Sequence, residues 1–240
     1  MTMLRQNARQ RLRQRAGFLA ENLLQRYYEE RGTLAISFAR SHLDEAGEHV
    51  DPLWRTKART LAHRLRGIKG IVGKAVERGL RWWDGREPPI SDDEMVIRVL
   101  LGFCDLIRWE QGSPIVSEVK SQLGPTVDYR IEFQATQMIA LREMARRGLK
   151  VSILYYVALP GPQFVEIPWT DLRKPDARVK RNQIGSGYRY RTRVPIPYRD
   201  RSRFTRIPDS LVPYSNEREL LEFLTRRFGP GSRPGFEVAQ

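Results

Sequence analysis

Apolar positions along this chain change period several times, and each change predicts an element. Leu12, Leu19, Leu23 and Tyr27 share one helical stripe, so a helix is expected from about Leu12 to Glu30, stopped at Arg31-Gly32. Leu34, Ile36 and Phe38 then alternate, which predicts a short strand. Residues 51–83 return to helical spacing through Leu61, Leu65, Ile68, Ile71, Val72, Val76 and Leu80, enough for one or two helices. DGREPPISDD at 84–93 breaks the pattern, because Pro88-Pro89 forbids a regular helix. Ser91 and Glu94 have the spacing of a capping box for a short helix. MVIRVLLGF is nevertheless rich in strand formers, and a strand is predicted from about Met95 through Ile107.

A second short strand covers 114–120. Side chains alternate faces along a strand, so Ile115, Ser117 and Val119 project to one side and Glu118 and Lys120 to the other. After the polar loop SQLGPTVDYR, a helix over 131–147 is expected to pack through Phe133, Met138, Leu141 and Ala145, with Gln137 on the flank of that face. The uninterrupted apolar run 151–157 reads as a strand covered on both faces. Another strand, Gln163–Ile167, follows the Pro160-Gly161-Pro162 turn. The last helix is expected from Asn216 to about Phe228, capped by Asn216 and Glu219 and buried through Leu220, Leu221, Leu224 and Phe228.

Charge changes this picture. The 240 residues carry 42 Lys+Arg against 28 Asp+Glu, a formal net charge of +14, which points to a polyanionic partner, most simply nucleic acid. The basic residues are clustered. Arg11 and Arg15 belong to an acid-free stretch at 1–17, and Lys69 and Lys74 to the helical segment 51–83. Residues 173–206 hold twelve Lys/Arg, among them Lys180, Arg181, Arg189, Arg191 and Arg193, against Asp176 and Asp200. Tyr188, Tyr190, Tyr198 and Phe204 are interleaved with them, in a segment too rich in Pro and Gly for a helix. It reads as an extended arm or irregular hairpin. Either a surface loop tacked down by aromatics or a backbone-and-base contact fits this pattern, and the alternation of basic with aromatic residues favours the second.

Composition excludes several classes. One Cys rules out an intramolecular disulfide framework and a Cys-based zinc site. No apolar run approaches eighteen residues and no signal-peptide core opens the sequence, so an intracellular, soluble protein is expected. His42, His49 and His63 lack metal-ligand spacing, and neither a Ser/His/Asp signature nor a Walker lysine is present.

The remaining chemistry lies between Gly102 and Gly148. If the strands bearing Asp105 and Glu118 are neighbours, two carboxylates and the Lys120 ammonium converge. Alternating Glu and Lys is the ordinary pattern of a solvated strand face. Here, however, the charges interrupt an otherwise apolar run, and an unpaired buried carboxylate is costly. Hard divalent cations take oxygen ligands, and Mg²⁺ commonly uses one or two carboxylates while retaining waters.

GFCDLI, then IVSEVK, then TQMIALREMARRG followed by VSILYYV resembles the PD-(D/E)xK nuclease superfamily, closest to its VRR-NUC and Holliday-junction-resolvase-like branches. The resemblance implies a restriction-endonuclease-like α/β core with a mixed central sheet flanked by helices. It also implies Asp105 and Glu118 as Mg²⁺ ligands (Mn²⁺ substituting), Lys120 as the residue that orients or activates water, and Gln137 as the supporting helix glutamine. Gln134, one turn away, is the rival for that last role. Cys104 stands where the family often has Pro, and reads as a small buried residue facing away from Asp105. Members often carry a metal-proximal Glu on the first core helix. Glu21 is the candidate here, its long spacing to Asp105 requiring an insertion between them, with Glu77 on the nearer helix as the alternative.

Four regions are therefore expected: 1–50, a basic arm with the first core helix and strand; 51–90, a basic helical insertion; 91–170, a nuclease core; and 171–240, a basic-aromatic extension with the last helix. The expected activity is metal-dependent endonucleolytic hydrolysis of DNA, structure-selective by likeness to resolvases, leaving 5′-phosphate and 3′-hydroxyl ends, with a homodimer implied by the same likeness. A non-catalytic nucleic-acid-binding module of the same fold and an RNA-directed nuclease are the alternatives.

Overall fold

The computed structural model describes residues 2–38, 53–65, 96–97, 100–124, 129–172, 176–181 and 188–227, with side chains described outside 2–14, 135–136, 176–181, 188–190 and 226–227. Its centre is a six-stranded sheet in the order β1-β2-β3-β5-β6-β9. The strands are β1 (Leu34–Ser37), β2 (Leu106–Glu110), β3 (Ser113–Gln122), β5 (Lys150–Val157), β6 (Gln163–Pro168) and β9 (Thr205–Arg206). β3 and β5 are parallel, and every other neighbouring pair is antiparallel. A second, antiparallel sheet pairs β4 (Arg130–Gln134), β8 (Tyr188–Arg193) and β7 (Asp176–Arg181) in the order β4-β8-β7.

Both faces of the large sheet are covered, so its inner strand β5 is apolar almost without interruption. On one face Ala35, Leu106, Val119, Leu154, Tyr156 and Phe164 meet α1 (Thr2–Glu29) and α4 (Glu217–Arg227), through residues such as Leu19, Leu23, Leu24, Leu220 and Leu224. On the other, Ile36, Ile107, Val116, Ile153, Tyr155 and Ile167 meet three partners. These are α2 (Trp54–Leu65), the helical residues 96, 97, 100 and 101, and α3 (Ala135–Arg146) with Ile131 and Phe133 of β4. α3 makes the crossover between the parallel strands β3 and β5, and Gly148 releases it at φ 84°, a conformation that only glycine adopts without strain. Gly32, at φ 72°, ends α1 in the same way.

Two expectations are corrected. The strand expected from Met95 through Ile107 is not formed: residues 96, 97, 100 and 101 are helical, and β2 begins only at Leu106. Val96, Ile97, Leu100 and Leu101 are spaced i, i+1, i+4, i+5, and all four are buried. Packing of that helical stripe overrides the β-branched preference of the segment. The helix expected over 131–147 starts at Ala135, because Arg130-Ile131-Glu132-Phe133-Gln134 alternates exposed and buried positions as β4. Of the two forms expected for residues 173–206, the hairpin is present as β7 and β8. The caps expected on the last helix are present: the Glu219 backbone N–H donates to Asn216 Oδ1 at 3.0 Å, and Asn216 Nδ2 to Glu219 Oε1 at 3.0 Å. The whole segment 66–95, with Ser91 and Glu94, lies outside the described residues.

Candidate active site

β2 and β3 pair with Leu106 opposite Ser117, and the next step of that register sets Asp105 opposite Glu118. The ladder reaches this pair, since the Asp105 N–H donates to the Ser117 carbonyl at 3.0 Å and the Phe38 N–H to the Asp105 carbonyl at 2.8 Å. Beyond it β2 has no residues to offer, and the Asp105 side chain replaces the missing backbone acceptor. Its Oδ2 takes the Val119 N–H at 2.8 Å. Alternation places Glu118 and Lys120 on the same face as Val116, beneath α3 and β4, as the sequence predicts.

Glu118 is 1% exposed. Its Oε1 accepts from Lys120 Nζ at 2.6 Å and from Gln137 Nε2 at 2.7 Å. Gln137 is itself oriented, because its Oε1 takes the Gln134 backbone N–H at 3.3 Å at the start of α3. The structure thus brings Gln137 to the site and leaves Gln134 exposed as the helix N-cap. Glu118 Oε2, the second carboxylate oxygen, is buried with no hydrogen-bond partner among the described residues. Burial of an unpaired carboxylate oxygen is expensive, and such atoms in native structures call for an explanation.

The electrostatics follow from this crowding. Burial and then the neighbouring Glu118 charge push the Asp105 carboxyl well above its usual range, against the opposing pull of Lys120 and the Val119 N–H. Burial disfavours the Lys120 ammonium, but Glu118, Asp105 and, more weakly, Glu21 outweigh it and raise its pKa. Lys120 therefore sits as a cation. Cys104, 1% exposed, turns its Sγ to the Leu100 carbonyl, and burial first of all raises its thiol pKa, so it is an inert spacer.

Other predicted residues are placed differently. Glu21 lies on α1, is 6% exposed, and is near enough for its charge to be felt at Lys120 and Cys104. Among the described residues no group of three or more His, Cys, Asp and Glu side chains could hold a metal ion, so Glu21 completes no cage with Asp105 and Glu118. Two hard oxygen donors, one of them buried and unpartnered, still fit a cation such as Mg²⁺ that keeps several waters. Arg15 donates to the Leu224 carbonyl at 3.4 Å and so ties α1 to α4. Arg191 pairs with Glu132, and Arg193 is exposed opposite Arg130. The backbones of Arg11, Lys180, Arg181, Arg189 and Tyr190 lie on α1, β7 and β8, with their side chains outside the description. Lys69, Lys74 and Glu77 lie outside the described residues altogether.

Sequence reasoning did not place Tyr155 or Arg130 near Lys120. Tyr155 sits beside Lys120 in the β3–β5 register, and both residues line a cavity of about 620 Å³ between the two sheets. The alternation of Arg130–Gln134 was the available signal, because it marks a strand that can form the opposite wall.

No helix among the described residues is long and apolar enough to cross a membrane. No family model matches the chain, and no curated protein matches it. Among solved structures, one match is Hjc, a Holliday junction resolvase from the archaeal hyperthermophile Archaeoglobus fulgidus. It is 12% identical, covers 45% of this chain and 72% of that one, and superposes with a TM-score of 0.26.

Proposed function

We propose that this chain is a Mg²⁺-dependent endonuclease that hydrolyses phosphodiester bonds in DNA. The observation that carries this reading is the buried, unpartnered Glu118 Oε2 beside Asp105, on a carboxylate whose other oxygen is already held by Lys120 and Gln137. A buried carboxylate oxygen without a partner calls for an explanation, and a bound cation is one. One oxygen occupied and one left over is the arrangement of a ligand kept for a cation. Asp105 and Glu118 hold the metal, and Mn²⁺ can replace Mg²⁺. When bound, the ion supplies Lewis-acid polarisation of the phosphate and a more acidic water.

The chain's own residues do the rest. Gln137 and Lys120 fix the Glu118 carboxylate in one orientation, so little reorganisation is left for the reaction. The Lys120 ammonium stabilises charge that develops on the phosphoryl oxygens and orients the attacking water. Hydrolysis forms a P–O bond to water and breaks the bond to the 3′ oxygen, leaving a 5′-phosphate and a 3′-hydroxyl. A formal net charge of +14 supplies long-range attraction for the polyanion.

The test is cleavage of plasmid and branched DNA in Mg²⁺, Mn²⁺ and EDTA by the wild type, Asp105→Ala and Lys120→Ala. Metal-dependent nicking that both variants lose is the expected result. Salt-sensitive binding without cleavage of any DNA would make the chain a binding module. Preferential cleavage of a competing RNA would redirect the substrate assignment.

A further inference from the structure

The junction between β4 and α3 reaches both members of the Glu118–Lys120 pair. From its helical side Gln137 holds the Glu118 carboxylate. From its strand side Phe133 meets Lys120, whose Nζ lies over the ring at 5.0 Å from its centroid. That is inside the roughly 6 Å over which the negative face of an aromatic ring attracts an ammonium. The ring is fixed from several directions. Phe133 is 1% exposed on the buried side of β4, lies opposite Tyr190 in the small sheet, and meets Trp169 edge-on at 6.0 Å, centroid to centroid.

The two partners of this contact differ in freedom. Lysine ends a flexible stem in a compact charge with three donors, and Glu118 occupies one of them. A ring face restrains that charge through its quadrupole, without cancelling it and without a lone pair that would fix a second donor. A carboxylate in the same place would do both. An aliphatic side chain would fill the space and exert no pull. The Lys120 side chain keeps 21% of its surface open and lines the cavity between the two sheets, so charge and donors restrained in this way stay accessible to a substrate. Phe133 also belongs to the core it shares with Ile131, Met138 and Leu141, a role that asks only for apolar volume. The contact with Lys120 asks for an electron-rich face, and the two demands can be separated.

Resting on the nuclease reading above, we propose that Phe133 is a positioning residue of the hydrolytic site, its ring face fixing the Lys120 ammonium beside Glu118 so that it meets the attacked phosphate with its full charge. Gln137 and Phe133 then orient the two ends of one ion pair, and the β4–α3 junction is a single clamp on it.

The experiment uses the full chain with phenylalanines of one, two and three ring fluorines placed at position 133. Each fluorine draws electron density from the ring face and hardly alters its shape, so packing is kept while the attraction for a cation falls. Thermal midpoints are measured in EDTA for this series with Lys120 in place and again in the Lys120→Met background. Plasmid cleavage in Mg²⁺ and Mn²⁺ is measured for the series with Lys120. Midpoints are expected to fall stepwise with fluorine number when Lys120 is present and to lose that trend in Lys120→Met. The kcat is expected to fall in the same steps, about tenfold across the series, with KM for DNA within about twofold, because the ring acts only through the ammonium. Midpoints that shift alike in both backgrounds, or a kcat indifferent to fluorine number, make Phe133 a packing residue and overturn the positioning role, while cleavage by the wild type leaves the nuclease reading standing. Absence of cleavage by the wild type in both metals overturns the nuclease reading and the positioning role with it, and the EDTA midpoints then report the ring–ammonium contact as structural.

Discussion

Strands β2 and β3 carry a buried charge cluster on each face, and the two clusters obey opposite rules. On the α1 face, Arg108 is 1% exposed and fully employed. It donates to Ser117 Oγ at 2.6 Å, pairs with Glu110 and Glu166, and stacks over the Tyr28 ring at 4.5 Å. Ser117 Oγ passes the network on to Ser152 Oγ at 2.9 Å. On the α3 face, the Asp105 and Glu118 carboxyls lie side by side, with Lys120 bonded to Glu118 and one carboxylate oxygen unmet among the described residues. Burial is common to both. What separates them is satisfaction: the first cluster closes on itself and serves the fold, while the second is left open at a stability cost, which is what the proposed ligand role requires.

The sharpest break in this comparison is kinetic. Asp105→Ala or Glu118→Ala should lower metal-dependent cleavage by about 10³-fold or more, roughly 4 kcal/mol of transition-state stabilisation. Circular dichroism should remain native and the thermal midpoint in EDTA should not fall by more than a few degrees. A variant that retains a tenth of wild-type cleavage would mean that these carboxylates do not hold the ion.

The converse belongs to the other face. Arg108→Ala leaves Glu110, Glu166 and Ser117 without their common partner and empties the space over Tyr28. A loss of about 3 kcal/mol is expected, because removing one member of a buried ion pair is the costly way to break it. For a chain of this length that lowers Tm by roughly 6–12 °C. Cleavage per folded molecule should stay within about twofold of wild type, measured well below the new midpoint. A large loss of turnover with an unchanged Tm would tie the Arg108 network to the reaction.

The difference between the faces also explains what could be read from the sequence. Asp105, Glu118 and Lys120 were legible because strand period and residue type bring them together once their strands pair, whereas Gln137, on a helix, came from the family resemblance with Gln134 left as its rival. The role of β4 was not, since Arg130–Gln134 is short and runs straight into a helix with the same apolar content. Missing that strand hid the second sheet and with it the cavity wall. The segment around Val96–Leu101 failed for a different reason: its residue types favour a strand while its spacing favours a helix, and burial of the stripe decided. Arg108 was invisible as a core residue. Only the tertiary arrangement shows that Glu166, 58 positions away, would meet it.

Asp105→Asn sharpens the contrast through pH. The carboxyl of Asp105 is pushed up by burial and by Glu118, so the folded chain binds a proton there that the unfolded chain has already released. Between about pH 4, the unfolded value, and the raised folded value, wild-type stability therefore falls as pH rises. Asn keeps an acceptor for the Val119 N–H and carries no charge. In EDTA the variant should be more stable than wild type at pH 7, with a higher Tm, and match it near pH 4. Mg²⁺ should raise the wild-type midpoint and leave that of the variant unchanged. A variant less stable than wild type at pH 7 would show that Asp105 is satisfied as a carboxylate, like the partners of Arg108.

The smallest effect isolates orientation from ligation. Gln137 touches Glu118 through Nε2 and holds the start of α3 through Oε1, so Gln137→Ala frees one Glu118 oxygen and loosens one helix end. A partner that orients a metal ligand is typically worth 10–100-fold in affinity or activity, and the lower figure is expected because Lys120 still holds the same oxygen. The diagnostic quantity is the Mg²⁺ concentration for half-maximal cleavage, which should rise about tenfold, while loss of a helix cap alone would lower Tm and leave that concentration where it was. Ser117→Ala, one residue away on the opposite face, is the matched control. It removes a hydroxyl from the Arg108 network, so it should move Tm and not the Mg²⁺ requirement. If both substitutions shift the Mg²⁺ requirement equally, the two faces of β3 are one coupled unit, and the division between a closed structural cluster and an open ligand site fails.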